Sequence, residues 1–214
     1  MKIVVFGVTG NIGQRVAAEA IERGHQVVGV VRDASKAAGV PGVTLVRGDA
    51  TDAAQVAEAV RGADAVISAV SPRPGSTGSA PRLVDAARGL IAGLRRAGVK
   101  RLLVVGGAGS LEVAPGVALM DSPGFPDAYK GEATEGRDSL NVYRGEAEGL
   151  EWTFVSPAAE IGPGERRGTY RTTIDQFLTD ETGHSRISYD DYAIALLDEI
   201  ENPRHVGRRF GVAY

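Results

Sequence analysis

The residues best suited to chemistry stand in one short loop near the start of the chain. Gly7, Gly10 and Gly13 are spaced as G-x-x-G-x-x-G between an apolar run and an amphipathic stretch. In a loop from strand to helix, the first glycine allows the tight turn and the second lets a pyrophosphate approach; the third permits close helix packing. The helix N-terminus then offers unpaired N–H groups to the phosphates. We therefore predict dinucleotide contacts from Gly7, Thr9, Gly10, Asn11, Ile12 and Gly13.

The end of the second predicted strand carries residues that discriminate between dinucleotides. A carboxylate here binds the ribose 2′-hydroxyl of NAD, whereas an Arg accommodates the 2′-phosphate of NADP. Both types are present, as Arg32 and Asp33. We favour Arg32 as the phosphate clamp, assisted by Lys36, because Asp33 is well placed to cap the residues that follow. The sequence thus predicts a preference for NADP(H), with NAD(H) as the alternative.

Further cofactor contacts are expected where later strands end. Asp49 and Ala50 follow the third strand, where Asp49 is predicted either to accept from the adenine amino group or to form a turn before a helix. The fourth strand ends in small residues that let the backbone pass close to the riboses, namely Ala69, Val70 and Ser71. The Pro-, Gly- and Ser-rich loop 72–79 is expected to line the site.

The elements that must position these residues follow from hydrophobic periodicity. Strands are predicted at residues 2–6, 26–31, 43–46, 63–70, 101–105, 151–155 and 209–212, and helices at 11–23, 52–60, 81–97, 129–149 and 190–201. Alternating strands and helices indicate βαβ units, and therefore a doubly wound parallel sheet of α/β class. The rhythm breaks after Ser156. We predict one domain over residues 1–214, with 157–214 forming a small tail on the substrate side.

Composition excludes several classes of function. The chain has 214 residues, 43% hydrophobic and 24% charged, as expected of a soluble globular domain. It has no Cys, which excludes disulfides, thiolate metal sites and thiol catalysis and fits a reducing cytosol. The net charge of -3 gives no footprint for nucleic acid. No apolar stretch is long enough for a membrane span. We expect a cytoplasmic monomer or homodimer without nucleic-acid or membrane partners.

The three histidines give no indication of a metal site. His25 and His205 have no partners at metal-ligand spacing, and both are predicted to lie on the surface. His184 lies in the tail and is a weak candidate for a proton donor. Trp152, at the start of the sixth strand, is predicted to belong to the core.

Several stretches together resemble a known superfamily. Beyond the glycine loop and residues 31–33, they are residues 106–110, 152–158, 162–166 and 185–188. Over essentially the whole chain they resemble the short-chain dehydrogenases/reductases, and more narrowly their atypical NAD(P)H-binding branch of NADH-flavin reductases and biliverdin reductase B-like proteins. The resemblance implies a Rossmann fold with the nicotinamide near Ser110 and Pro157, and with Gly107 as a further cofactor contact.

One departure from that superfamily bears on the reaction. Its proton relay is a Tyr with a Lys four residues later, but here Tyr129 is followed at that spacing by Ala133, and Tyr143 by Ala147. Lys130 directly follows Tyr129. Reduction of a carbonyl needs an acid for the forming alkoxide, whereas hydride transfer to an electron-poor flavin ring can take its other proton from solvent. The missing pair therefore favours flavin or quinone-like acceptors, for which positioning of two rings is most of the catalysis.

Few residues are candidates for contact with the acceptor. Ser110 is predicted either to hydrogen-bond the acceptor or the nicotinamide amide or to cap a helix, and Tyr129 is the other catalytic candidate. Phe125, Tyr129 and Tyr170 are aromatic residues that could stack on an acceptor ring or simply pack.

Three functions fit this sequence. The first is an NADPH-dependent reductase of flavin or another planar acceptor, with flavin as substrate rather than prosthetic group. The second is an NADP-binding redox sensor without turnover, similar to the NmrA-like proteins. The third is a nucleotide-sugar epimerase or reductase, which the chain length and the missing Tyr–Lys pair disfavour. The fold alone does not choose among them.

Overall fold

The computed structural model describes residues 1–33, 40–71 and 82–214. Its helices are α1 (Asn11–Glu22), α2 (Ala53–Ala59), α3 (Leu83–Ala97), α4 (Asp127–Glu146) and α5 (Tyr189–Glu201). Its strands are β1 (Lys2–Phe6), β2 (Gln26–Val31), β3 (Val43–Arg47), β4 (Ala65–Ser68), β5 (Arg101–Val105), β6 (Glu112–Ala114), β7 (Val117–Ala118), β8 (Glu151–Ser156), β9 (Glu160–Gly162), β10 (Arg171–Thr173), β11 (Arg186–Ser188) and β12 (Arg208–Ala213).

The central sheet has the strand order of a doubly wound fold. Within the described residues it contains eight strands in the order β10-β12-β8-β5-β4-β1-β2-β3. All neighbouring pairs are parallel except β10 with β12. The chain builds outwards in opposite directions from β1 and β4, which places the topological switch point between them. In open α/β sheets, ligands bind at this point, outside the carboxyl ends of the strands. The predicted fold class is confirmed.

Hydrophobic cores on both faces of the sheet explain the apolar runs. In β1, Ile3 and Val5 face the core beneath α1 and α5, whereas Val4 and Phe6 face the core beneath α2, α3 and α4. All four side chains are buried. Because helices cover both faces, the strand sequence is continuously apolar instead of alternating. The predicted core residue Trp152 is buried as well.

Capping residues begin one helix and end another where the sequence predicts. The carboxylate of Asp52 accepts hydrogen bonds from the amides of Ala54 and Gln55 and so begins α2. Gly98 ends α3 in the left-handed conformation, with φ of 72°. The predicted fourth strand was too long, since the paired residues are only Ala65–Ser68.

The second half of the chain contains short strands that periodicity does not predict. They are β6, β7, β9, β10 and β11, each of two or three residues. β9 and β11 pair in parallel, which brings Glu160–Gly162 beside Arg186–Ser188. Segments this short carry no repeating pattern, and their neighbours in the fold determine them. No helix in the described part of the chain is both long and apolar enough to cross a bilayer.

Candidate active site

The three positions of the loop between β1 and α1 are glycine for different structural reasons. Gly7 has φ of +77°, and a Cβ there would lie 2.5 Å from the carbonyl oxygen of Ala69. A Cβ on Gly13 would lie 2.1 Å from the carbonyl oxygen of Gly7. Gly10 has φ of -80° and ψ of 167°, an ordinary conformation, and its nearest neighbour would be 3.3 Å away. The fold requires glycine at the first and third positions, whereas a Cβ at the second would only make a tight backbone contact, so that a bare backbone cradle stands at the N-terminus of α1. Such a cradle fits a pyrophosphate.

The intervening residues connect this loop to the rest of the molecule. The carbonyl of Thr9 accepts from the side-chain amide of Gln14 at 3.0 Å, and Ile12 packs against the core. Asn11 is exposed, and its side-chain amide donates to the hydroxyl of Tyr189 at 3.4 Å. The glycine loop is therefore adjacent to the start of α5.

The predicted ribose contacts lie at the carboxyl ends of β2 and β4. Arg32 and Asp33 directly follow β2 and are exposed. The amide of Ala69 donates to the carbonyl of Phe6 at 2.9 Å, which places residues 69–71 beside the glycine loop. Val70 is partly buried against the core, and Ser71 is exposed. These predicted contacts thus lie on the two sides of the topological switch point.

Asp49 stabilises the turn at the end of β3. Its Oδ1 accepts from the amide of Thr51 at 2.9 Å and from the Thr51 hydroxyl at 2.8 Å, which forms the turn before α2. Ala50 beside it is buried. The turn interpretation is confirmed, and an adenine contact by the carboxylate stays a prediction. Lys36 and the loop 72–79 lie outside the described residues.

A cavity of about 1120 Å³ opens at the carboxyl ends of β5 and β8. Its lining comes from residues 107–110, 119, 122–126, 129, 132–133, 136–137, 159–165, 167, 186–188 and 214. Ligand pockets typically measure roughly 300–1,000 Å³, so this one has room for two ring systems. The predicted residues Gly107, Ser110 and Tyr129 lie in the lining, whereas Pro157 is buried at the end of β8 and lies outside it.

The loop after β5 repeats the pattern of the glycine loop. A Cβ on Gly106 would lie 2.0 Å from the ring of Phe154, and one on Gly109 would lie 2.6 Å from the Cβ of Ala133. A Cβ on Gly107 would meet nothing within 4 Å. The outer two glycines are required by packing, whereas the bare backbone at Gly107 faces the cavity and gives a ligand a place to approach.

Ser110 is held by a buried cation that the sequence did not identify. Nη1 of Arg209, in β12, donates to the carbonyl oxygen of Ser110 at 2.7 Å and to its Oγ at 2.9 Å. Arg209 is only 4% exposed and also pairs with Asp175 through Nε at 3.0 Å. No helix starts at Ser110, so the interpretation of Ser110 as a helix cap was wrong. The available signal was an Arg at the start of the predicted strand 209–212, directly before its apolar residues.

The tyrosines provide no Tyr–Lys relay. Tyr129 is 58% exposed at the cavity, and the Nζ of Lys130 pairs with Asp127 at 2.7 Å. Tyr143 is buried and stacks on Trp152, with ring centroids 6.1 Å apart. Burial raises the pKa of the Tyr143 hydroxyl. Tyr143 is therefore an internal packing residue, and the Lys next to Tyr129 is paired with a carboxylate.

Of the remaining aromatic candidates, one lies in the site and one does not. Phe125 lines the cavity. Tyr170 instead donates its hydroxyl to Asp198 on α5, and its ring packs against the core beneath that helix. Tyr170 therefore packs, which is the second of the two roles predicted for it, and it is absent from the cavity lining.

Acidic and basic side chains share the cavity. Glu132 lines the cavity as an exposed residue, and desolvation raises the pKa of its carboxyl. The guanidinium of Arg167 lies 4.0 Å above the ring of Tyr214. Glu132 is therefore a carboxyl at the cavity that the sequence did not identify, since nothing in its local pattern distinguishes it from other helical glutamates.

A buried carboxylate organises the wall on the α5 side. Asp191 accepts from the amides of Arg167 and Gly168 at 3.0 and 2.8 Å and from the hydroxyls of Ser188 and Tyr214. Burial opposes ionisation, but the hydrogen bonds, the one from Tyr214 foremost, outweigh it and lower the pKa of Asp191. Ser188 and Asp191 have the spacing of a capping box, a signal that the sequence contained.

The histidines are more enclosed than predicted. His25 bonds the carboxylate of Glu201 at 2.8 Å, and His205 bonds Glu199 at 2.9 Å and stacks on Phe210. Their side chains are 10% and 17% exposed. The prediction of surface positions was wrong, because α5 brings carboxylates to both. In the described ranges, no three His, Asp or Glu side chains could share a metal ion.

His184 is the exposed histidine of the tail. Its Nδ1 lies 2.8 Å from the hydroxyl of Thr182, and it is absent from the cavity lining. Its position therefore gives no support to a role as proton donor at the acceptor.

The switch point, the glycine cradle at α1 and the cavity beyond β5 and β8 define a dinucleotide-binding Rossmann domain. The model of the NAD(P)H-binding family matches residues 7–203. The chain belongs to this family, which confirms the resemblance identified from the sequence.

Known proteins similar over their whole length support the same assignment. The "Uncharacterized protein YwnB" of Bacillus subtilis is 41% identical, over 99% of this chain and 98% of that protein. A Streptococcus pneumoniae structure named "putative NADH-flavin reductase" is 34% identical with a TM-score of 0.87, covering 100% of this chain and 99% of that one. A Bacteroides thetaiotaomicron structure named "putative epimerase" is 38% identical with a TM-score of 0.87, covering 100% and 96%.

Proposed function

We propose that the protein is an NADPH-dependent reductase that passes hydride directly to a flavin or another planar, quinone-like acceptor. The observation that carries the proposal is the cavity beside Gly107, which has room for two rings and contains no Tyr–Lys relay among the described residues. The name of the Streptococcus pneumoniae relative agrees with this reaction. Flavin is a substrate in this proposal, and it leaves after reduction.

A bound nicotinamide would supply the hydride, and the chain supplies the geometry. Gly10 and Gly107 leave the backbone bare where the pyrophosphate and the nicotinamide half would lie. Phe125 and Tyr129 provide aromatic surface on the acceptor side of the cavity. The proton that completes reduction comes from solvent or from Glu132, which lines the same cavity. Orientation of the two rings is the main catalytic contribution.

The preference for NADPH rests on Arg32. It directly follows β2, where the 2′-phosphate of NADP is accommodated in this fold. Asp33 stands next to it and supports the alternative of NAD, so the two dissociation constants must be compared directly.

A redox sensor of the NmrA-like type is the second candidate, because a protein that only binds the cofactor also needs no Tyr–Lys relay. NADPH oxidation with FMN or menadione under nitrogen separates the two functions. Turnover supports the reductase, whereas tight NADPH binding without turnover of either acceptor supports the sensor. A nucleotide-sugar epimerase is the third candidate, in agreement with the name of the Bacteroides relative. Interconversion of two epimers of a nucleotide sugar, without net oxidation of NADPH, would support it. Cytoplasmic location and a monomeric or dimeric state stay predictions.

A further inference from the structure

We propose that Arg167 binds the phosphate of a phosphorylated acceptor, so that FMN is a better acceptor than riboflavin. This inference rests on the proposed function and narrows its substrate class to flavins that carry an anionic tail. The two flavins share one isoalloxazine ring and differ only in the phosphate. Their comparison therefore isolates the contribution of the tail.

Arg167 differs from the other arginines of the cavity because no carboxylate neutralises it. The charged side chains of the lining balance one another, and they are Arg137, Arg167, Arg186, Glu132, Glu160 and Glu165. Arg186 pairs with Asp180 at 3.5 Å, and Arg137 pairs with Asp138 at 3.3 Å. In the described ranges, no carboxylate oxygen lies within 4.0 Å of the Arg167 guanidinium, and no group accepts a hydrogen bond from it. Its donors are available to a ligand in the cavity.

The ring of Tyr214 restrains the guanidinium of Arg167. The guanidinium carbon lies 4.0 Å from the ring centroid, within the range of a cation–π contact. A contact of this kind leaves the N–H donors of the guanidinium without a hydrogen-bond acceptor. These donors form a planar fork, which pairs of phosphate oxygens match. Arg167 thus has a restrained position and an unsatisfied fork.

One buried carboxylate anchors both partners of this contact. Asp191 accepts from the amide of Arg167 at 3.0 Å and from the hydroxyl of Tyr214. The Tyr214 hydroxyl in turn accepts from the amide of Ser188 at 3.1 Å. The backbone of Arg167 and the ring beside its side chain are therefore both fixed to the start of α5. Restraint before binding reduces the entropy that is lost when a ligand is held.

The preceding residue shows what an arginine with internal partners looks like. Arg166 pairs with Glu19 at 2.9 Å and with Glu22 at 3.0 Å, both on α1. It is absent from the cavity lining. Of two adjacent arginines, one thus contacts the carboxylates of α1 and the other lines the cavity. Arg166 matches Arg167 in type, charge and chain position, which makes it the control.

The cavity can hold the ring and the tail of one acceptor together. Phe125 and Tyr129 offer aromatic surface before and within α4, whereas Arg167 lies in the separate segment between β9 and β10. A volume of about 1120 Å³ is ample for a flavin with its tail. Arg167 is exposed to solvent, so its contact with a phosphate discriminates modestly and weakens with salt.

The test compares FMN with riboflavin as acceptors in NADPH oxidation under nitrogen. We expect the ratio of kcat/KM for FMN to that for riboflavin to be about 5–30 in the wild type at low salt and about one in Arg167→Gln. Arg166→Gln should keep the wild-type ratio. Tyr214→Phe, which retains the ring, should keep most of it, whereas Tyr214→Leu should lower it.

Salt tests the phosphate contact without any variant. The wild-type ratio should fall towards about one as NaCl rises from about 20 mM to about 500 mM. A wild-type ratio of about one at low salt, an unchanged ratio in Arg167→Gln, or an equal fall in Arg166→Gln would overturn the inference. A loss of NADPH affinity in Arg167→Gln as large as the loss for FMN would also overturn it, because Arg167 would then bind a cofactor phosphate.

The inference can be tested separately from the proposed function. If the wild type oxidises NADPH with neither flavin, the proposed function fails, and flavin fluorescence gives the dissociation constants of FMN and riboflavin for the NADP⁺ complex. Tighter binding of FMN, lost in Arg167→Gln and kept in Arg166→Gln, then supports the phosphate contact. Equal binding of the two flavins, or binding of neither, overturns it.

Discussion

The glycine loop after β1 and the Ser110 loop after β5 lie at the same edge of one sheet, yet they are held by different means. Gly7 and Gly13 fix the first loop through backbone contacts within seven residues and with the end of β4. Ser110 is held by Arg209, 99 residues further along the chain, and through it by Asp175. The comparison teaches that the proposed cofactor end is encoded locally, whereas the proposed acceptor end depends on long-range side-chain contacts.

The two loops also share a feature that separates structural glycines from functional ones. In each loop, the outer glycines would clash with the fold if they carried a Cβ, and the middle one would not. Gly107 therefore has no internal reason to be glycine, and Gly10 has a weaker one than Gly7 or Gly13, since a Cβ there would lie 3.3 Å from the Gly7 carbonyl oxygen. A residue type that the fold does not require, at an edge where ligands bind, indicates approach of a ligand.

The largest expected effect is the loss of NADPH affinity on substitution in the glycine loop after β1. Gly10→Val should reduce NADPH affinity by at least about a hundredfold, because its side chain occupies the path of the pyrophosphate. The fold should persist, since a Cβ at Gly10 meets only the Gly7 carbonyl at 3.3 Å. Fluorescence titration measures binding and circular dichroism the fold. Gly13→Ala is the contrasting variant and should unfold, since its Cβ would lie 2.1 Å from backbone. A folded Gly10→Val that binds normally would contradict the assignment.

A smaller effect is expected at the specificity end of the cofactor site. Arg32→Ala should weaken NADPH binding by about tenfold to a hundredfold and leave NADH binding nearly unchanged, because a charge-assisted bond to phosphate contributes roughly 1.5–3 kcal/mol. The dissociation constants of both cofactors check it for each protein. If the wild type binds NADH as tightly as NADPH, Asp33 binds the ribose, and the assignment of Arg32 to the 2′-phosphate is wrong.

On the α5 side of the cavity, the expected effect is on the free energy of unfolding and on its dependence on pH. Asp191→Asn should lower the free energy of unfolding by about 1–3 kcal/mol at pH 7, because it weakens several hydrogen bonds of a buried carboxylate. Since folding lowers the pKa of Asp191, its stabilisation is complete above the unfolded value of about 3.9 and is lost as pH falls through the folded pKa. The difference between the two proteins in urea denaturation should therefore shrink below about pH 4.

A matched control for this measurement is the neighbouring Asp190. It pairs with Arg15 only at 3.6 Å near the surface, so Asp190→Asn should change stability by less than about 0.5 kcal/mol. Equal losses in the two variants would mean that the buried network of Asp191 contributes no more than an exposed carboxylate.

The smallest effect is expected at the tyrosines. Tyr129→Phe and Tyr143→Phe should keep acceptor reduction within about tenfold of wild type, whereas loss of a true general acid costs roughly 10²–10⁴-fold. The assay is NADPH oxidation with FMN under nitrogen. A thousandfold loss in Tyr129→Phe would show that a tyrosine acid operates after all, and the acceptor side would then resemble a carbonyl reductase.

What the sequence determined by itself is the part of the molecule built from local rules. Buried strands such as Lys2–Phe6 and Arg101–Val105 were predicted with correct bounds, because apolar runs between turn signals are a property of a few adjacent residues. The cap at Asp52 and the glycine spacing of the cofactor loop are local in the same sense. Together they were enough to predict the fold class and the family.

Only the tertiary structure decided which distant side chains meet. The partner of Ser110, the direction of Tyr170 and the carboxylates beside His25 and His205 all depend on where β12 and α5 lie against the earlier strands. An Arg beside an apolar run has the same sequence signature whether it pairs with a carboxylate, holds a serine or reaches solvent. Strand order and register set the partner, and no spacing along the chain encodes a contact across 99 residues.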